Sequence, residues 1–501
     1  MIKNGKDIAN GTVLSTQVCV IGSGPAGITA AWQLQKAGIK VILIEGSRRY
    51  DMLDKSWPDK DLLYNGKAEG LFKTNEPKFL IQPYTRHQPN PAWERERFYG
   101  GTSAHWGGQC RPQDPIDLEA RPGVGDFPGF PGWPLTRDKL NPYYAQASAL
   151  CHLNGNYGQN GDNFTNKYWA DVLKTQVPVL DGFEVEMYQF VGPDYRNFAT
   201  RKFDGGITIA ESDVEVILNA SLLDIDHQQG SVSSLRVASM DTSIPPKKAT
   251  EFTINADVYV LACGAVANAR QLLLSKAGNE HDQVGRYFMC HPLSQSQAIS
   301  AWSYLNPSQS NFMEGHTSTG QWTDSNHVTA NARFIPNPRR TKDCGIGRCW
   351  FWAGGGQYYF EMTPNPDSRI TLCDTKDTVF DQRQTHIEWH LSPQDEYTYN
   401  ETTNLFQTAV TDLGGGVSFD TWEEVKSQLI VNGHHIGTTR MSDKPETGVV
   451  DPNLKVHSLN NLYVAGASVF PTAGISNPTF TIIMFSIRLA DHLKKVLGRA
   501  S

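Results

Sequence analysis

The sequence predicts an α/β fold: a doubly wound, Rossmann-like domain discontinuous in sequence, joined to an α+β domain built on an antiparallel sheet. Three observations predict it. Thr16 to Glu45 reads as strand, glycine turn, helix and strand in immediate succession. A second strand, glycine and helix unit follows far downstream, from Val258 to Ser275, so the parallel sheet is assembled from separated segments. Between Ser296 and Trp422 the pattern changes to alternating, aromatic-rich segments that suit antiparallel strands.

In the first unit, the apolar run Val18 to Ile21 is followed by Gly22, Gly24 and Gly27 in the G-x-G-x-x-G spacing, with Ser23, Pro25 and Ala26 between them. Gly22 allows the tight turn, Gly24 leaves the backbone open to a pyrophosphate, and Gly27 lets helix and strand pack closely. Pro25 suits a first helical turn, and Gly38 suits a helix end in the left-handed conformation. The free amides and positive end of that helix favour phosphate. A second strand, Val41 to Ile44, ends in Glu45, whose carboxylate can accept hydrogen bonds from both ribose hydroxyls, which favours FAD or NAD over NADP.

The 501 residues leave room for two or three domains. Lys and Arg number 45 against 52 Asp and Glu, a formal charge of −7 that argues against a nucleic-acid or anionic-membrane partner. No signal peptide is read at the N-terminus and no apolar run is long enough to span a membrane, so a soluble, cytoplasmic protein is expected. The eight cysteines show no CxxC or ligand-like cluster, which argues against a zinc or iron–sulfur site; no metal is expected.

Along the chain, Ser47 to Glu94 reads as polar, proline-punctuated loop. Arg95 to Gly108, RERFYGGTSAHWGG, then places Gly100, Gly101, Gly107 and Gly108 where a backbone can lie against a flat ligand. Residues 111–205 read as a covering segment with a helix from about Thr136 to Leu150. Strands are expected at Glu215 to Asp226, Ser234 to Ala238, Phe252 to Ile254 and Val258 to Ala262, the last followed by Cys263 and Gly264. Trp350 to Trp352, Tyr358 to Phe360, Arg369 to Cys373 and Thr385 to His390 read as strands of an antiparallel wall. Near the end, NGHHIGTTRM carries adjacent His434 and His435; Leu462 to Ala465 reads as a short strand ending at Gly466; and Asn477 or Ser476 can cap a helix with Pro478 in its first turn. The resulting division assigns 1–110, 206–295 and 430–501 to the cofactor domain, 111–205 to the cover and 296–429 to a substrate domain.

Taken together, VIGSGPAG with Glu45, GGTSAHWGG, LACGAVANARQLL, VGRYFMCHP, GHHIGTTRM and LYVAGASVFPTAGISNPT resemble, in order and spacing, the glucose–methanol–choline (GMC) oxidoreductases, which are FAD-dependent alcohol-oxidising flavoproteins. GTSAHW, Gly466 and the form SNPT look like the pyranose oxidase and glycoside oxidase branch. The resemblance implies FAD, held through the Gly22–Gly27 turn and Glu45, through Gly100, Gly101, Thr102, Ser103, His105, Trp106 and Gly107, and through Leu222, Ala262, Cys263, Gly264, Gly466, Ala467, Asn477, Pro478 and Thr479. His105 is a candidate for covalent attachment to the flavin, with a packing or hydrogen-bonding role as the alternative. His434 falls on the family's catalytic histidine and Asn477 on its second catalytic position; His435 is the competing register.

Such a histidine would take the hydroxyl proton of an alcohol while hydride moves to flavin N5, and the amides at the helix beginning with Pro478 would meet the charge that develops. The implied substrate is a secondary hydroxyl of a pyranose sugar or glycoside, with dioxygen or a quinone as acceptor. A non-sugar or aminocyclitol alcohol and a non-redox lyase on the same scaffold are the alternatives.

Overall fold

The computed structural model describes residues 2–46, 99–104, 106–126, 128–153, 170–294, 299–300 and 322–499, with short interruptions at 172–173, 175, 178, 242, 244–246, 324–328, 353–356, 378, 427–428 and 432. The loop reading for Ser47 to Glu94 and the role of His105 lie outside the described residues.

The first sheet takes β1 (Ile2–Asn4), β2 (Val13–Ile21) leading through α1 (Pro25–Gln35) to β3 (Val41–Glu45), then β4 (Glu215–Leu218), β5 (Ser221–Gln228), β6 (Ser231–Met240), β7 (Lys248–Leu261) leading to α2 (Ala265–Leu274), and β8 (Leu462–Val464) followed by α3 (Pro478–Val496). Its spatial order is β1-β4-β3-β2-β7-β6-β5, with β8 also on β7. β1, β4, β3, β2, β7 and β8 run parallel; β6 and β5 extend the sheet antiparallel. Val18 pairs with both Val41 and Val258, which makes β2 the central strand. Val18, Cys19, Val20, Leu43, Ile44, Val260 and Leu261 are fully buried, and α1 packs against α3. These continuous apolar runs are what a sheet covered on both faces requires, at about 1.5–3 kcal/mol per buried aliphatic side chain.

The second sheet is assembled from distant pieces in the order Ile430–Val431, Pro292–Ser294, Gln357–Phe360, Cys349–Trp352, Thr329–Pro336, Phe183–Phe190 and Gln109–Cys110. Its adjacent strands pair antiparallel. Three features differ from the sequence expectation. Phe183–Phe190, inside the segment read as a cover, pairs along its whole length with Thr329–Pro336, burying Phe183, Val185 and Met187 on alternate positions. Among the described residues, Arg369–Lys376 and Arg383–Glu388 pair only with each other, as a separate two-stranded ribbon.

The third difference is a twenty-residue helix, Pro393–Asp412, within the stretch read as strands. A capping box starts it: the Ser392 hydroxyl accepts from the Asp395 amide and the Asp395 carboxylate accepts from the Ser392 amide. Its buried stripe is largely Tyr399, Thr402, Thr403, Phe406, Ala409 and Val410, so the apolar period is diluted by threonine. Among the described residues no helix is long and apolar enough to cross a membrane.

Candidate active site

Three crossings of the parallel sheet converge at the C-terminal ends of β2, β7 and β8. The Ala262 amide donates to Ile21 O at 2.8 Å and the Ala465 amide to Leu261 O at 2.7 Å, which sets Gly22, Ala262 to Gly264, and Gly466 with Ala467 side by side. Asn268 ties the last two together. Its Oδ1 accepts from the Cys263 amide at 2.8 Å, and its Nδ2 donates to Ala465 O and Ser468 Oγ.

The β2–α1 turn fits the diphosphate of a dinucleotide. No side chain caps the first turn of α1, and a side chain built at Gly24 would point into open space rather than into protein. A Cβ at Gly27, by contrast, would run into the carbonyl of Gly22, so only glycine fits there. Glu45, at the end of β3, is buried, and its Oε2 accepts from the Ser23 amide at 3.0 Å and the Ser23 hydroxyl at 2.6 Å. The second glycine stretch docks on this turn: the Gly100 amide donates to Ser23 Oγ at 3.2 Å, and the Ser103 hydroxyl donates to Gly100 O and accepts from the Phe198 amide. Thr102 and Gly107 are exposed, and the Trp106 indole donates to Arg196 O. Leu222 stands apart from these turns as a buried residue of β5, its carbonyl accepting from Gln271.

At the other end of the site, Asn477 is the N-cap of α3, with Pro478 and Thr479 in a first turn that has no side-chain cap. His434 Nε2 lies 3.2 Å from Asn477 Nδ2. His435 points elsewhere: it is buried edge-on against Phe288 with ring centroids 5.0 Å apart. The structure therefore brings His434 and Asn477 together and separates His435 from them.

The backbone explains why. Met289 and Ile436 form an antiparallel bridge, exchanging hydrogen bonds of 3.0 and 2.9 Å, so two residues on in opposite directions His291 stands opposite His434. Their Nδ1 atoms are 3.0 Å apart, and His291 Nε2 meets Gly474 O at 2.8 Å. Burial first, and the neighbouring His291 second, hold the His434 pKa well below the ordinary imidazole value.

His291, Asn268 and Glu361 are site residues that sequence reasoning missed. His291 and Asn268 sit in stretches that drew attention as motifs, but neither spacing nor periodicity gives them a task. Glu361 belongs to a buried network. Its carboxylate pairs with Arg121 at 2.8 Å, accepts from the Arg348 amide at 3.0 Å, and accepts from the Gly474 amide at 2.8 Å. Gly474 itself has φ +60, and a Cβ there would collide with the Gln113 side chain.

The chain is similar to known proteins over its two ends and, at lower identity, over nearly its whole length. A family model described as GMC oxidoreductase matches residues 364–486, and one described as pyridine nucleotide-disulphide oxidoreductase matches residues 16–102. The chain is 23% identical over 566 residues to the fructose dehydrogenase large subunit of Gluconobacter japonicus, covering 96% of this chain and 98% of that one. It is 28% identical over 141 residues to pyranose 2-oxidase of Tricholoma matsutake, covering 27% of this chain and 23% of that one. A solved structure on FAD modification in Aspergillus oryzae RIB40 formate oxidase matches with a TM-score of 0.57 at 15% identity, covering 98% of this chain and 99% of that one.

Proposed function

We propose that the chain, which matches the GMC oxidoreductase model over residues 364–486, is an FAD-dependent oxidoreductase of that type acting on CH–OH donors, and that it oxidises a secondary hydroxyl of a pyranose sugar or glycoside, with His434 as the base. Bound FAD supplies the hydride acceptor. The Gly22–Gly27 turn with Gly100 to Ser103 would hold the diphosphate, Glu45 the adenosine ribose, and Gly466, Ala467 and the first turn of α3 the flavin end. His105, if linked covalently, would add to this hold. The electron acceptor in this reading is dioxygen or a quinone, and a cytoplasmic location is part of the proposal.

One observation carries the reading: His434 Nε2 and Asn477 Nδ2 face each other at 3.2 Å beside the uncapped start of α3. An alcohol is a poor hydride donor until its O–H proton is leaving. A hydroxyl entering here donates to His434 Nε2, while its oxygen accepts from Asn477 Nδ2, which fixes the C–H bond in one direction. His434 takes the proton at Nε2. The amides at the start of α3 supply fixed positive potential where negative charge develops. The sugar assignment is supported by relatives named fructose dehydrogenase and pyranose 2-oxidase.

The test is anaerobic mixing of the FAD-loaded protein with D-glucose, D-fructose, methyl pyranosides and simple alcohols, read as loss of flavin absorbance. Bleaching by a sugar or glycoside supports the proposal; bleaching by simple alcohols alone, or by nothing, overturns the substrate class. With a bleaching substrate in hand, His434→Ala retains FAD and fold while flavin reduction slows by about 10²–10⁴-fold. Undiminished reduction would remove His434 from the mechanism. Because the folded pKa of His434 is lowered, its neutral, basic form persists below the ordinary histidine range. The reduction rate is therefore flat from about pH 7 down through pH 6, and falls only at the lower pH where His434 protonates. A fall centred on the ordinary imidazole value would contradict this.

A further inference from the structure

We infer that His291 is a positioning residue that fixes the tautomer of His434, holding its proton on Nδ1 so that Nε2 presents a lone pair to the substrate hydroxyl. The inference rests on the base assignment for His434 and adds how that base is prepared.

The argument starts at a carbonyl. Gly474 O can only accept, so His291 Nε2, 2.8 Å away, carries a hydrogen. Neutral His291 then has a bare Nδ1, which can only accept. That nitrogen is 3.0 Å from His434 Nδ1, so His434 Nδ1 must be the donor. Neutral His434 in turn has a bare Nε2, the atom that faces Asn477. Asn477 cannot impose this order, because a carboxamide turned over offers an acceptor as readily as a donor. His291 can, because one of its nitrogens is already committed to a carbonyl.

The surroundings keep that commitment. His291 is 1% exposed on the segment entering the strand Pro292–Ser294, and its ring meets that of His434 at 85° with centroids 5.1 Å apart. Gly474 is held from both sides, its carbonyl by His291 and its amide by Glu361, whose carboxylate is in turn paired with Arg121. Burial lowers the His291 pKa, against the opposing pull of Gly474 and Glu361. Among the described residues, Glu361, paired with Arg121, lies behind His291, and His435 follows His434 in the chain.

The experiment is ¹⁵N NMR of the FAD-loaded, ¹⁵N-histidine-labelled protein at neutral pH, with His434 assigned by its loss in His434→Ala. A hydrogen bond to a fixed acceptor is worth about 1.4 kcal/mol, or tenfold, in favour of one tautomer. The wild type is expected to show His434 protonated on Nδ1 over Nε2 by at least about 10:1. In His291→Leu that ratio falls about tenfold. His291→Gln, which can accept from His434 while donating to Gly474 O, restores it.

A wild-type His434 with its proton on Nε2, or an unchanged ratio in His291→Leu, overturns the inference. If His291→Leu fails to fold, the wild-type and His291→Gln spectra decide. Failure of the base assignment is separable: it shows as full flavin reduction in His434→Ala, whatever tautomer the wild type holds.

Discussion

The two large sheets of this molecule meet at one site yet are held together by different physics. The parallel sheet is an apolar object: its central strands are fully buried aliphatic runs, and its turns work because glycine leaves room. The antiparallel sheet carries a buried ionic web. Arg121 and Glu361 are paired with no exposure at either side chain, while Arg348 reaches Asp114 and Asp117, and Arg111 reaches Asp114 and Glu186. Shape tolerates little change in the first, and charge balance tolerates little in the second. The proposed catalytic pair sits where they join, with Asn477 on the helix that packs against α1 and His434 next to the strand Ile430–Val431 of the second sheet.

The largest effect should come from breaking the shape rule. Gly27→Val places a branched side chain against the carbonyl of Gly22 and the Val20 side chain, with β2 and α1 both fixed by burial. Overpacking of this kind, where backbone must move, is expected to destabilise by about 4 kcal/mol or more and to leave protein without FAD. Flavin content and thermal unfolding measure both. A variant that binds FAD and melts like the wild type would show that the turn is more plastic than its packing implies.

Next comes the charge rule. Glu361→Gln keeps the volume but leaves Arg121 buried without its counter-charge and weakens the anchor of Gly474. Removing one partner of a buried pair costs about 3–5 kcal/mol, because the surviving charge stays desolvated. Chemical denaturation gives the number. The same variant should slow flavin reduction, since Gly474 O is what orients His291. A loss below about 1 kcal/mol would mean that the web is decorative and that the second sheet, too, stands on apolar packing alone.

This contrast also explains what was legible in the residues. The parallel sheet could be read because each unit is local: strand, glycine turn and helix follow one another at Ile21–Pro25 and again at Leu261–Ala265, and the period of the apolar residues names the element. The end of the chain was readable for the same reason, since Asn477, Pro478 and the apolar face of α3 are consecutive signals. The second sheet could not be assembled this way. Phe183–Phe190 finds its partner at Thr329–Pro336, and nothing in either alternation names the other. The helix Pro393–Asp412 hid because threonines fill much of its buried face. His291 stayed invisible because its role depends on a bridge between Met289 and Ile436 that exists only once both sheets are built.

The smallest expected effect completes the comparison. Lys3 and Glu215 form an ion pair of 2.6 Å on the edge of the parallel sheet, where β1 meets β4, with side chains 45% and 32% exposed. In distance this pair matches Arg121 with Glu361, at 2.8 Å, so a view based on contact geometry alone ranks the two as equals. Burial says otherwise. Water screens the exposed pair and solvates whichever partner remains, so Lys3→Ala is expected to cost less than about 1 kcal/mol, and less still in high salt. Denaturation of Lys3→Ala beside Glu361→Gln, at low and high ionic strength, places two ion pairs of similar length on one scale. If Lys3→Ala cost as much as Glu361→Gln, desolvation would not be what distinguishes the two sheets. If the exposed pair proves nearly silent and the buried one does not, the second sheet is held by charges because water cannot reach them.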